Sequence, residues 1–236
     1  MKGSHLGPRR FPQAGLLGRV AILPTGACEA HGPHLPIDTD VRIAVAMAER
    51  AAARLDARVL PPVTYGVTRF ARNFPGTLGV SPAVMTALVA EVLVAAADAG
   101  ASRLGIANAH LEPANVDALF EACAQVKSRT GLTVAFPNVG SRRNAERLAK
   151  AAAPLDGHSG IYETSLMLAI APRTVVGHRR LPDVAADLGA GIVAGATCFE
   201  EAGGPQAYFG TPARATPELG ERLLEELGAI LVEALA

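Results

Sequence analysis

The sequence predicts an α/β fold: a single-domain three-layer αβα sandwich with a mainly parallel sheet. Three observations predict it. Short runs rich in branched aliphatic residues alternate with longer Ala- and Leu-rich segments, the junctions carry helix start and stop residues, and half of the 236 residues are hydrophobic, enough to bury one large core.

The first strand is read at Arg19 to Leu23, the second at Arg58 to Val63, the third at Arg103 to Ala107 and the fourth at Leu132 to Phe136. Helices fill the gaps. The first runs from Val41 to Ala57. The next spans Pro82 to Ala99, opened by Pro82 after Ser81 and closed by Gly100. Ala114 to Arg129 follows, with Gly131 just past its end, and then Ser141 to Ala153, Tyr162 to Ile170 and Pro217 to Ala236. Between Val175 and Ala215 the pattern breaks into Gly, Pro and short apolar pieces, read as loops with one further strand near Gly191 to Ala196. Residues 1–15 form a flexible arm and residues 16–236 the domain. The arm carries basic residues but lacks the continuous apolar run of a secretory signal.

Composition narrows the function. Lys and Arg number 22, as do Asp and Glu, so no cationic excess favours a nucleic-acid backbone or an anionic membrane surface. Neither partner is expected. Three scattered cysteines without paired spacing suggest neither a disulfide framework nor a thiolate metal site, and fit a reducing cytoplasm.

In an open parallel sheet, ligands gather at the carboxyl ends of the strands. Two loops there concentrate the chemistry. One follows the first strand and holds Glu29, His31, His34, Asp38 and Asp40; the other follows the third and holds Asn108, His110, Glu112 and Asn115. Carboxylate and imidazole at alternate positions, Glu29-x-His31 and His110-x-Glu112, fall on one side of an extended segment. Such N and O donors suit Zn²⁺ or Mn²⁺, and a carboxylate such as Asp40 can bridge two ions roughly 3.5–4 Å apart. A pair of ions activates water and polarises a carbonyl, the two needs of amide hydrolysis at neutral pH.

A plainer reading stands beside this one. Asp38 or Asp40 could simply cap the helix near Val41. In the third segment, Asp156-Gly-His158-Ser-Gly-Ile-Tyr-Glu163, Ser159 or Gly160 could cap and Glu163 suit the helix dipole. That explains Glu163 well and His158 poorly, since a Gly-flanked histidine is a reasonable general acid or base. His5 and His178 read as ordinary surface or hydrogen-bonded residues.

The run Glu29-Ala-His31-Gly32-Pro33-His34-Leu35-Pro36 with Asp40 following, the turn Phe74-Pro75-Gly76-Thr77, the His110 loop and Asp156 through Ser165 together resemble the creatininase (creatinine amidohydrolase) family over about residues 20 to 220. The resemblance implies a binuclear centre in which Glu29, Asp40 and His110 hold one ion and His31, Asp40 and Glu112 the other. It implies that His158 passes a proton to the leaving nitrogen and that Glu163 belongs to the same wall. It also implies a homo-oligomer, commonly a hexamer, acting on a small-molecule amide. Glu112 matches creatininase itself, whereas many members have Asn-Gly-His-Gly-Gly-Asn in that loop. Two departures bear on substrate: no tryptophan occurs anywhere, Pro154 lying near the place of a covering tryptophan, and Leu111 replaces a tyrosine. Creatinine is therefore not expected, but another small or cyclic amide is. A biosynthetic deformylase, a peptidase trimming a mycofactocin-type peptide, a lactonase or lyase, and a non-catalytic oligomeric binding protein are the alternatives. Thr68, Arg69, Arg72 and Asn73 are candidate substrate contacts, an Arg there being able to clamp a carboxylate or phosphate; Tyr162 and Tyr208 fit a core better than a ring-stacking site.

Overall fold

A computed structural model describes residues 15–151 and 156–236. The expected arm, apart from residue 15, and Pro154 lie outside the described residues. Four parallel strands form the sheet: β1 (Val20–Thr25), β2 (Ala57–Val59), β3 (Arg103–Asn108) and β4 (Val134–Ala135), in the order β2-β1-β3-β4. β1 and β3 run in register from Val20 opposite Arg103 to Thr25 opposite Asn108, so their carboxyl ends finish level.

The three layers follow from the strand period of two. Val20 and Ile22 of β1 point into one core with helices α1 (Thr39–Ala52), α5 (Ile161–Ile170) and α7 (Pro217–Leu235). Ala21 and Leu23 point the other way, with Leu104 and Ile106 of β3, against α2 (Pro82–Asp98) and α3 (Pro113–Thr130). Both faces are dry, which is why the strands read as continuous apolar runs without alternation. Within the first layer α5 and α7 touch at Gly220, where a Cβ would lie 2.0 Å from the carbonyl oxygen of Ser165. Only glycine allows that approach.

Helix boundaries obey local chemistry. The Ser81 hydroxyl accepts from the Val84 amide with Pro82 in the first turn, the Thr216 hydroxyl accepts from the Leu219 amide, and Gly131 closes α3 at φ +77°. Two expectations are corrected. The first helix ends at Ala52, because residues beyond it tighten into turns (Arg54 amide to Ala51 carbonyl, 3.0 Å) and Ala57 pairs with Val20 as a strand. The strand expected near Gly191 is instead part of a short helix, α6 (Leu188–Val193), because the Asp187 carboxylate caps the amide of Ala190 at 3.0 Å. The remaining helix, α4 (Arg142–Ala151), packs on α7. No helix among the described residues is long and apolar enough to cross a membrane.

Candidate active site

Three loops converge over the carboxyl ends of β1 and β3. The first leaves β1 and returns as α1. Within it the Glu29 amide bonds the Ile37 carbonyl at 3.0 Å and the Thr39 hydroxyl bonds the Pro36 carbonyl at 2.6 Å, folding Glu29 and His31 inward beside Asp40 in the first turn of α1. Asp38 turns outward to Arg42 and has no cap bond. The second loop carries His110. Its backbone is pinned by the Asn108 amide group on the His110 carbonyl (2.7 Å), while the Thr25 hydroxyl donates to Asn108 Oδ1 (3.0 Å). The third loop runs from Asp156 to Gly160. Asp156 accepts from the amides of Ile161 (2.8 Å) and Thr211 (3.0 Å), so the helix start expected from Ser159 or Gly160 is capped from four residues upstream of Gly160.

Among the described residues three buried groups of donors result, the donor atoms of each lying within 4.8 Å of one another: Glu29, His31 and His158 in one, and two that share a carboxylate, Glu29, Asp40 and His110, and His31, Asp40 and Glu163. Asp40 faces both. Its Oδ1 is 3.1 Å from His31 Nε2, and its Oδ2 is 3.1 Å from His110 Nδ1. Glu29 Oε1 is also 3.1 Å from His110 Nδ1, and Glu163 Oε2 is 3.8 Å from His31 Nε2.

Each imidazole is oriented from behind. His110 Nε2–H donates to the Val67 carbonyl at 2.7 Å, and His31 Nδ1–H donates to the Glu29 carbonyl at 3.1 Å. The opposite ring nitrogens are left aimed at the carboxylates, the arrangement by which proteins fix metal-binding tautomers. Val67 is itself held, its amide donating to Asn115 Oδ1 at 3.1 Å, and Gly66 passes so close that a Cβ would meet His110 Cδ2 at 3.1 Å.

The donor chemistry fits divalent ions. Glu29, Asp40 and Glu163 are all buried, and Glu29 Oε2 has no hydrogen-bond partner. Buried carboxylates require compensating positive charge. With only protein groups to supply it, the histidines are driven to carry it. Burial opposes the charged form of His31, but Asp40, Glu163 and Glu29 raise its pKa to about 10. His110 is likewise raised, against burial, by Glu29 and Asp40. Burial pushes the Glu163 carboxyl up to about 7 despite His31 beside it. A cation in each group would relieve all three.

Glu112, expected in the second ligand set, lies outside the three groups but faces the same chamber. It occupies the N-cap position of α3, and its Oε2 accepts from the amides of Arg69 (2.6 Å) and Phe70 (3.2 Å), which fix that oxygen. Glu163, brought in by α5, stands beside His31 and Asp40. Glu112 Oε1 is buried and unpartnered and lines the cavity together with Glu29 and His110, so its free oxygen belongs to the same chamber. Burial raises its pKa.

His158 lies against this centre. Its Nε2–H donates to the Ala30 carbonyl at 2.8 Å, its Nδ1 is 3.8 Å from Glu29 Oε1, and its ring is 4.2 Å from that of His31. Phe199 stacks on its other face at 4.5 Å. Burial, then His31, lower its pKa to about 4, keeping it neutral. Ser159 beside it adopts φ +57°, a strained value for a side chain, which turns its amide onto Glu163 Oε2 at 2.6 Å.

A cavity of about 690 Å³ opens over these residues. Leu111 lines it as expected, whereas Arg72 and Asn73 do not. The Arg72 guanidinium is used on the Thr197 carbonyl (2.9 Å) and hydroxyl (3.2 Å), and both residues are exposed. Tyr162 and Tyr208 are buried. Sequence reasoning missed Phe199 and the wall from Asp183 to Ile192; neither carries a motif, and only the return of the chain to Gly210, whose amide bonds the Val184 carbonyl at 2.9 Å, brings that wall to the site.

Comparison with known proteins agrees with this geometry. The family described as creatininase, creatinine amidohydrolase, matches residues 10–235. A mycofactocin precursor peptide peptidase from Mycobacterium ulcerans (strain Agy99) is 31% identical over 239 residues, covering 93% of this chain and 90% of that protein. A crystal structure of creatinine amidohydrolase (creatininase) superposes with a TM-score of 0.77 at 26% identity, over 99% of this chain and 97% of that one. Another structure, described as creatininase Mn, gives a TM-score of 0.73 at 26% identity, over 92% and 89%. A parallel sheet carrying these donors at its carboxyl edge, matched along nearly its whole length, places this chain in the creatininase family, and it is an amidohydrolase.

Proposed function

We propose that the chain cleaves a carbon–nitrogen amide bond with two divalent ions, Zn²⁺ or Mn²⁺, held by Glu29, Asp40 and His110 on one side and by His31, Asp40 and Glu163 on the other. The observation that carries this reading is Asp40, whose two oxygens each lie 3.1 Å from a histidine of a different group. When bound, such a pair lowers the pKa of water towards neutrality and polarises the amide carbonyl. The chain's own groups do the rest. His158, neutral and with Nδ1 facing the centre, takes a proton from the attacking water and delivers it to the leaving nitrogen. Glu112, fixed by the Arg69 and Phe70 amides, offers its free oxygen as a second proton-holding group. Phe199 and Leu111 exclude bulk water from the chamber.

A peptide bond is favoured as the scissile amide over a single small ring. A chamber of about 690 Å³ lies in the range that holds a ligand of drug size, and the Mycobacterium ulcerans relative is named a peptidase. The test is elemental analysis with an amide and peptide substrate panel. About two equivalents of metal per chain and hydrolysis lost on chelation and restored by Zn²⁺ or Mn²⁺ are expected. His110→Ala, which removes a donor without touching either apolar layer, should abolish turnover and leave the fold intact. Full activity in a chelated, metal-free protein would overturn the reading.

A further inference from the structure

We infer that the part of the substrate flanking the scissile amide is aliphatic or aromatic and carries no negative charge, the cavity beyond the metal-binding groups being a seat for an uncharged apolar group; this rests on the amidohydrolase reading above. The far wall of the cavity is formed by Val184, Ala186, Leu188 and Ile192, and the side nearest the centre by Phe199 and Phe70. Among the described residues that line it, none is Lys or Arg. The charged side chains beyond the metal-binding groups and Glu112 are acidic: Asp156, Asp183 and Asp187. Asp156 and Asp187 are turned to backbone amides, and the Arg214 guanidinium is drawn onto Asp183 at 3.0 Å and does not line the cavity.

Charge and polarity therefore act together. A carboxylate or phosphate on the substrate would lose water in an apolar chamber and find no Lys or Arg among the described residues that line it, while its acidic lining side chains, though engaged with amides and Arg214, add no attraction, costs that a neutral aliphatic chain does not meet. The three carboxylates Glu29, Asp40 and Glu163 would offset most of the charge of two divalent ions, so the centre itself adds little attraction for an anion at the distance of the far wall. Arg72, the residue best suited by sequence to clamp an anion, is committed to Thr197 outside the cavity.

The probes are three amides of one chain length: hexanamide, adipamate, which ends in a carboxylate, and 6-aminohexanamide, which ends in an ammonium. With the metal-loaded chain, kcat/KM for hexanamide should exceed that for adipamate at least tenfold, and 6-aminohexanamide should fall between them. Inhibition constants of the same three compounds against hydrolysis of a reporter peptide should follow the same order. Ile192→Lys places a cation in the wall at a half-buried position and should move the hexanamide-to-adipamate ratio at least tenfold towards adipamate. Adipamate turned over or bound as well as hexanamide by the unaltered chain would overturn this inference alone, whatever Ile192→Lys does. Metal-loaded chain that hydrolyses no amide or peptide would overturn the functional reading instead.

Discussion

Glu163→Gln against Glu112→Gln separates the ligand set proposed above from the one the family resemblance implies. Both changes keep volume and shape and remove one negative charge. Glu163 is buried with its Oε2 3.8 Å from His31 Nε2, and that oxygen can still accept from the Ser159 amide after substitution, so the loop should persist. What is lost is one of the three donors proposed for the second ion. Breaking a buried charge pair by removing one partner costs about 3–5 kcal/mol, which corresponds to about 10² to 10⁴ in affinity. After dialysis against a metal-free buffer, Glu163→Gln should retain about one equivalent of metal where the unaltered chain retains about two. Glu112→Gln keeps its two backbone amide bonds and touches neither group of three, so it should retain about two equivalents while losing turnover. Elemental analysis on the dialysed proteins, with circular dichroism to confirm folding, reads both. A Glu163→Gln protein that keeps both ions, or a Glu112→Gln protein that loses one, would refute the assignment of Glu163 and return Glu112 to the ligand set.

Two further outcomes follow from groups around the site. Asn115→Ala leaves the buried Val67 amide without its acceptor, which should lower unfolding free energy by about 1–3 kcal/mol. Because the Val67 carbonyl orients His110, metal affinity should also fall about 10- to 100-fold; denaturant titration and metal competition would show it, and an unchanged affinity would break that link. His34 is buried, with Nε2 2.9 Å from the Thr164 hydroxyl, and burial followed by His178, His31 and His158 lowers its pKa from 6.5 to about 4. The unfolded chain therefore binds the extra proton between those values. Stability should fall as pH drops from about 6.5 to about 4, by roughly 3 kcal/mol in all, and not change further from this group below that. His34→Asn should flatten that part of the pH profile relative to the unaltered chain at equal metal loading, and an equally steep profile would show that His34 is not its source.

Much of this was legible in the linear chain. The four strands could be read because both faces of the sheet are covered, so each strand is apolar throughout, and the start at Ser81 and the stop at Gly131 are local chemistry that needs no distant partner. Glu29, His31 and Asp40 were equally legible, since they share one loop and an alternating register, and His110 repeats that spacing after β3. Glu112 shows where such reasoning stops. Its spacing from His110 is right for a shared cluster and it does face the same chamber, yet one of its oxygens is fixed by the amides of Arg69 and Phe70, more than forty residues away in sequence. Glu163 shows the converse: a helix-start acid that local rules explain fully also faces His31, because Asp156 caps α5 and the strained backbone of Ser159 turns its amide onto Glu163. Arg72 was a plausible clamp by type, but a long flexible cation takes whatever acceptors surround it, and those of Thr197 are nearest.

The sequence by itself determined the layer architecture and the donor types, because hydrophobic period, caps and ligand chemistry are properties of residues within a few positions of one another. Only the tertiary structure decided which carboxylates lie beside which histidines and which residues wall the cavity. Those depend on side-chain and backbone groups that are distant in the chain and adjacent in space, and a displacement of one or two ångströms separates a metal ligand from a neighbour.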